Sequence, residues 1–448
     1  MSFMTWVTAV SRSGFWADDF LNVTHFSRSL GDLSDDRINA GRYVTNVFWA
    51  VGTYAFGSGS VVPFLLLNTV VFAVGVSIWL WVGCRTRWRS IEAWWVAGFF
   101  LATGVWYQTA LQSSAIGHSC GFLGLGLGAL SHQRCTHAVT TRSAVSWSLA
   151  SGCAWTLAVT GNILYIGLLP IAAYCAFHQI GKVRRLGVRK TRASLMIGSW
   201  NLLLPIIYFA AVAYPATTYK TEYAHSSLHF IHQNLRFYRA QLAPTSVLVA
   251  VYISVIVAAI VGAISAVRRS DWFPLAVVAA AGATAVPALV QSQQRFIFYL
   301  AMPMLLTFSG LAASLRPVML GESRRSVPVR GGVFLGAAVT LLLLFGQGAD
   351  VRSYFVRTPF GGSLATFRSQ IASLTPAGGV ICARLNLDPA QQALFVAEMS
   401  GTDGFFVPPI SAAQAYLVPP NQTCPAQRSA ATNVGVSVDA RGDFVATR

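Results

Sequence analysis

A chain of 448 residues carries 54% hydrophobic and only 10% charged residues, with a mean hydropathy of +0.55. Soluble domains average about a quarter charged residues, so this composition excludes an ordinary soluble fold and indicates a polytopic membrane protein. The net charge of +17 would suggest a nucleic-acid ligand in a soluble chain, but here Lys and Arg sit in short loops between apolar segments, where they report topology and imply no nucleic acid.

Taken in order, the chain opens on a short apolar run, residues 1–10, which as a helix would cross only about half of a ~30 Å hydrocarbon core. The expectation is either an upstream extension or a first helix held by its neighbours. Phe15-Trp16-Ala17-Asp18-Asp19-Phe20 follows. Two adjacent carboxylates between aromatic residues at a membrane boundary are costly unless they have a partner or a role. The plain alternative is a solvated interfacial turn.

Residues 21–60 are too polar to span. Within them Val44, Val47, Phe48, Val51, Tyr54 and Ala55 recur at helical spacing, which predicts an amphipathic helix along the membrane surface. Asp35 and Asp36 ahead of it suit a helix N-cap. Arg42, directly after Gly41, could instead approach a phosphate.

Ten apolar spans come next, at roughly 61–83, 91–111, 115–131, 143–160, 162–179, 194–213, 246–267, 273–290, 296–315 and 331–346. Most approach the ~20 residues a membrane-crossing helix needs. The spans meeting at Gly161-Asn162 read as a tight helical hairpin. More than half of the 32 basic residues fall in the loops after the first, third, fifth, seventh and ninth spans. The positive-inside rule makes that side cytoplasmic. Of the 15 acidic residues only Glu92, Asp271 and Glu322 lie there. Residues 14–60, 214–245, 291–295 and 347–448 are therefore expected outside, Asp18 and Asp19 among them.

Three outer segments carry candidate ligands. In the 214–245 loop, Glu222, His225, His229 and His232 form one stripe at helical spacing that could hold a divalent cation, although an interfacial helix explains the same pattern. Arg236 and Arg239 flank Phe237 and Tyr238 and read as interfacial anchors able to touch an anionic head group. Arg295, in the short loop before Phe296, is either a snorkelling side chain or a phosphate ligand.

The last hundred residues read as a separate soluble module. Helices are predicted at Gly361–Leu374 and Asp388–Met399, and strands at Gly379–Leu385, Phe405–Val407 and Asn433–Val438, a small α/β domain. It carries no glycine-rich phosphate loop or paired catalytic motif. Of seven cysteines, none in a CxxC pattern, only Cys382 and Cys424 lie there, and they could pair in an oxidising compartment.

Together these features resemble the GT-C glycosyltransferases, membrane enzymes that use polyprenyl-phosphate-linked sugars. The resemblance rests on Asp18-Asp19-Phe20 at the start of the first outer loop, the surface helix after Gly41-Arg42, and about ten spans. Arg295-Phe296 with Pro303 in a late span and the C-terminal outer domain complete it. It implies an all-α polytopic transmembrane domain over residues 1–346, with a first outer loop at 14–60, and an extracytoplasmic α/β domain over 347–448. It also implies a polyprenyl-phosphate sugar donor, an envelope glycan, lipid or protein acceptor, surrounding membrane lipids and no certain cofactor. Asp18-Asp19-Phe20 followed by Gly41-Arg42 is similar to bacterial members of this superfamily that modify cell-envelope glycans.

The chemistry agrees with the residues. A sugar leaving as a lipid phosphate needs a base for the acceptor hydroxyl and positive charge where the phosphate gains negative charge. Asp18 or Asp19 and Arg295 would supply them. Burial beside Phe15, Trp16 and Phe20 would raise the carboxylate's basicity.

Besides a structural membrane protein with a C-terminal binding module, which leaves the Asp18-Asp19 stretch unexplained, two other readings remain. A transporter or flippase would carry ionisable residues near the midplane and internal repeats, and neither is evident. An envelope polysaccharide polymerase or ligase would have a large late outer loop, where this chain has only residues 291–295.

Overall fold

The computed structural model describes residues 43–56, 62–88, 90–102, 105–111, 115–186, 191–213, 270–290 and 297–319. It also describes single positions within 231–236 and 256–267, and five strands between 380 and 447. The helices are α1 (Tyr43–Phe56), α2 (Val62–Thr86), α3 (Ser90–Ala102), α4 (Trp106–Leu111), α5 (Ile116–His137) and α6 (Thr141–Gly161). A 3-10 turn, Ile163–Leu168, leads into α7 (Leu169–Arg185), and α8 (Thr191–Tyr208) ends in a π-helical turn, Phe209–Ala213. After α9 (Phe273–Val290), a second 3-10 turn, Ile297–Leu300, opens α10 (Ala301–Met319).

This is a membrane protein. Among the described residues, the segments Val62–Thr86, Ile163–Arg185 and Ser194–Val212 are long and apolar enough to cross a bilayer. The comparably long α5 and α6 are not among them, and packing gives the reason. α5 lies against both α2 and α6 and buries most of its length, including Gly117, His118, Ser119, Gly124 and Ser131. Its neighbours are protein rather than lipid, so small and polar residues are tolerated there and permit close backbone approach. A Cβ at Gly124 would stand 2.6 Å from the Ala154 carbonyl oxygen of α6.

The span expected as continuous over 91–111 is broken into α3 and α4. The Trp106 indole N–H donates to the Leu101 carbonyl across the break, 2.9 Å. At the end of α4, the Asn68 amide donates to the Thr109 carbonyl (2.7 Å) and the Thr69 hydroxyl to the Ala110 carbonyl (2.8 Å), both from α2. Carbonyls left open at a helix end must find donors where water is absent.

The hairpin at Gly161-Asn162 has its physical cause in Asn162. That side chain accepts from the Leu164 backbone N–H at 3.1 Å, capping the 3-10 turn while closing α6. α1 forms where the surface helix was expected. Its Val47, Val51 and Tyr54 are exposed, whereas Thr45, Asn46, Trp49, Gly52 and Thr53 face the bundle. Part of the apolar stripe therefore points away from the protein, as suits a helix beside lipid, while Phe48 of the same stripe is buried against Trp49 and Phe64.

In the C-terminal region, β1 (Val380–Leu385), β2 (Phe405–Ile410), β3 (Ala413–Val418), β4 (Thr432–Val438) and β5 (Phe444–Thr447) form one sheet in the order β2-β3-β1-β4-β5. β1 runs parallel to both β3 and β4, and the outer pairs are antiparallel. β2 contains Pro408 and Pro409, and its register with β3 shifts between Val407 and Ile410. Proline offers no ladder donor, so β2 belongs at an edge. The segments predicted as strands at 379–385, 405–407 and 433–438 correspond to β1, β2 and β4, while β3 and β5 were not anticipated. The span at 331–346, both predicted C-terminal helices and the Cys382–Cys424 pairing lie outside what is described.

Candidate functional site

The end of the bundle expected to face outward is organised by His118, at the start of α5. Asn162 donates through Nδ2 to His118 Nε2 at 3.0 Å, because its own Oδ1 is engaged by the Leu164 N–H. An acceptor at Nε2 requires the proton at Nδ1, which then donates to the Tyr165 hydroxyl at 2.9 Å. The Tyr299 ring meets the imidazole edge-on, with centroids 5.5 Å apart. His118, Asn162 and Tyr165 are all buried.

Several described contacts involve the elements that lead toward the predicted ligands. The Thr45 hydroxyl of α1 donates to the Gly161 carbonyl at 3.3 Å. A Cβ on Gly117, beside His118, would reach both Gly161 O and Thr45 Oγ1. Tyr43 packs edge-on against Tyr208 at the end of α8, centroids 6.4 Å apart. The Asn234 amide donates to the Leu289 carbonyl near the end of α9, 2.7 Å.

Of the predicted site residues, Arg236 is described, and it is exposed, two residues from Asn234. His232 is exposed as well. Asp18, Asp19, Arg42, Arg239, Arg295, Glu222, His225 and His229 lie outside the described residues. Among the described residues no His, Cys, Asp and Glu group is arranged to hold a metal.

His118, Asn162, Tyr165 and Tyr299 were not singled out from sequence. The available signal was a histidine in the first turn of an apolar span, since an ionisable residue at membrane depth needs a partner.

No family model and no curated protein matches the sequence. Two solved structures do match in three dimensions. ArnT from Cupriavidus metallidurans in the apo state superposes with a TM-score of 0.52 at 14% identity, over 85% of this chain and 80% of that one. ArnT from the same organism bound to undecaprenyl phosphate superposes with a TM-score of 0.51 at 13% identity, over 88% and 83%. The chain therefore shares the fold of ArnT over most of its length.

Proposed function

We propose that the chain is an integral membrane glycosyltransferase that moves a sugar from a polyprenyl-phosphate donor to a cell-envelope glycan, lipid or protein on the outer face. The observation that carries this reading is the convergence of the described flanks. Arg42 is three residues from Thr45, and Arg295 is four from Tyr299. Thr45 and Tyr299 both border Gly117-His118. Arg236 follows Asn234, which is bonded beside the start of the 291–295 loop. Described neighbours in sequence of Arg42, Arg236 and Arg295 thus support a shared role for these arginines toward an anionic donor, in a fold whose solved counterpart is ArnT bound to undecaprenyl phosphate.

In this mechanism Asp18 or Asp19 accepts the proton of the acceptor hydroxyl as its oxygen bonds the anomeric carbon. The bond from that carbon to the phosphate oxygen breaks, and the electron pair leaves with the polyprenyl phosphate. Arg295 holds the developing dianion, with Arg42, Arg236 and Arg239 lining its approach. Residues 347–448 act as an extracytoplasmic α/β domain. Glu222, His225 and His229 would hold a divalent cation if transfer proves to depend on one.

The test is transfer of labelled sugar from a polyprenyl-phosphate donor in membranes. Asp18→Asn and Asp19→Asn should both insert normally, and at least one should lose about 10²–10⁴-fold in rate. Parental rates in both variants would refute the assignment. Chelation followed by re-addition of single ions decides metal dependence in the same assay, with His225→Ala as the matching variant.

A further inference from the structure

The opposite end of the bundle, where the basic loops lie, contains a cavity of about 340 Å³ between the ends of α2, α5 and α7 and the start of α9. We propose that it binds the phosphate of an anionic membrane-lipid head group, a site separate from any sugar-transfer site at the outer end.

The lining chemistry selects an anion. Arg85, Trp88, His132, Gln133, His137 and His178 contribute to the wall, and the lining contains no carboxylate. Arg85 makes no ion pair among the described residues; its guanidinium lies over Trp81, 5.4 Å from the ring centroid. Trp88 is only 3% exposed, yet its indole Nε1 has no hydrogen-bond partner among the described residues. An indole N–H is a donor only, and leaving it unmet costs its full desolvation. A phosphate oxygen would answer it.

The wall is preorganised. Arg87 donates through Nη1 to both Asp271 oxygens at 3.1 Å and through Nη2 to the Tyr174 hydroxyl, so α2, α7 and the turn before α9 are clamped together. Its own charge is largely offset by Asp271. Behind the wall, Gln179 Oε1 accepts from Ser148 (2.6 Å) and Asn201 (2.8 Å), which turns its Nε2 toward His132 Nδ1 at 3.4 Å. His132 Nδ1 is thereby an acceptor, and the ring's proton sits on Nε2. That leaves a second N–H donor on a cavity-lining side chain.

Depth distinguishes a lipid from a soluble phosphate. Trp81, Trp94 and Trp272 are exposed at this end, by 42%, 76% and 56%. Exposed tryptophans at one level of a bundle mark the head-group layer, and basic pockets between helices there take anionic lipid head groups. The exposed members of the lining, Arg85, Thr86, His137 and His178, stand at the cavity mouth, and Trp88, Ile171 and Cys175 belong to its buried floor.

The experiment is native mass spectrometry and thermal denaturation of the full chain in detergent, titrated with dioleoyl-phosphatidylglycerol, dioleoyl-phosphatidylcholine or inorganic phosphate. Phosphatidylglycerol should be retained at one copy and should raise the melting temperature, while phosphatidylcholine and inorganic phosphate should not. Trp88→Phe, which removes the N–H together with the pyrrole ring that carries it, should weaken phosphatidylglycerol binding about tenfold. Arg85→Gln, at the mouth and outside the clamp, should weaken it at least as much. Equal binding in both variants would show that the lipid is merely annular and overturn the proposal. Retention of inorganic phosphate with the same sensitivity would overturn the lipid assignment in favour of a soluble phosphate ester. Neither readout uses sugar transfer, so this inference stands or falls apart from the enzymatic reading.

Discussion

Asn162, at the junction of α6 and the 3-10 turn, fixes the protonation of His118, 44 residues earlier in the chain, by donating to its Nε2 at 3.0 Å. The hairpin residue that turns the chain is thus also the one that orients the imidazole against Tyr165 and Tyr299. Asn162→Ala should lower stability by about 1–3 kcal/mol, because it strands a buried acceptor on His118 and the Leu164 N–H together. Chemical denaturation of the purified protein measures this. An unchanged midpoint would mean that His118 finds another donor.

Packing of α5 against α6 depends on the absence of a side chain at Gly124, where a Cβ would meet the Ala154 carbonyl and lie 2.8 Å from the Ala158 Cβ. Gly124→Val should cost about 1–3 kcal/mol or prevent accumulation in the membrane. Gly181→Ala is the control, since nothing stands within 4 Å of a Cβ there, and better helix propensity should leave it neutral or slightly stabilising. Equal behaviour of the two variants would remove close helix approach as the reason for Gly124.

The orientation inferred from the basic loops is tested by impermeant thiol labelling in intact cells, after replacement of the seven native cysteines. Ser363→Cys should react and Arg189→Cys should not. The reverse pattern would invert the chain and put Asp18 and Asp19 on the wrong side of the membrane for the proposed reaction.

For the phosphate ligands, Arg295→Ala should reduce transfer by about 10²–10³-fold. Arg295→Lys should restore only part of it, since an ammonium lacks the two-pronged geometry of a guanidinium. Arg236 is exposed, so Arg236→Ala should raise the donor KM by less than about tenfold and leave kcat near parental, as expected for a charge that attracts the donor from a solvated position. A parental rate in Arg295→Ala would exclude it as the phosphate partner.

Much of the helical architecture was legible in the sequence because lipid imposes a length and a composition on each segment. The described α2, α5, α6, α7, α8, α9 and α10 all lie on predicted spans, and the Gly161-Asn162 hairpin was visible as a gap too short for anything else. Basic residues clustered in alternate loops, and Asp18, Asp19, Arg42 and Arg295 stood out as costly charges near a membrane. The tertiary structure decided the rest. The break between α3 and α4 is bridged by the Trp106 indole N–H on the Leu101 carbonyl, and the open carbonyls at the far end of α4 take donors that Asn68 and Thr69 supply from another helix. The tautomers of His118 and His132 follow from amides that lie 44 and 47 residues away. The outward turn of Val47, Val51 and Tyr54 follows from what packs behind α1. The cavity lined by Arg85, Trp88 and His132 exists only where four helix ends meet. Hydropathy is a property of each segment and can be read along the chain. Hydrogen-bond satisfaction in a medium without water belongs to pairs of segments, and only their packing determines it.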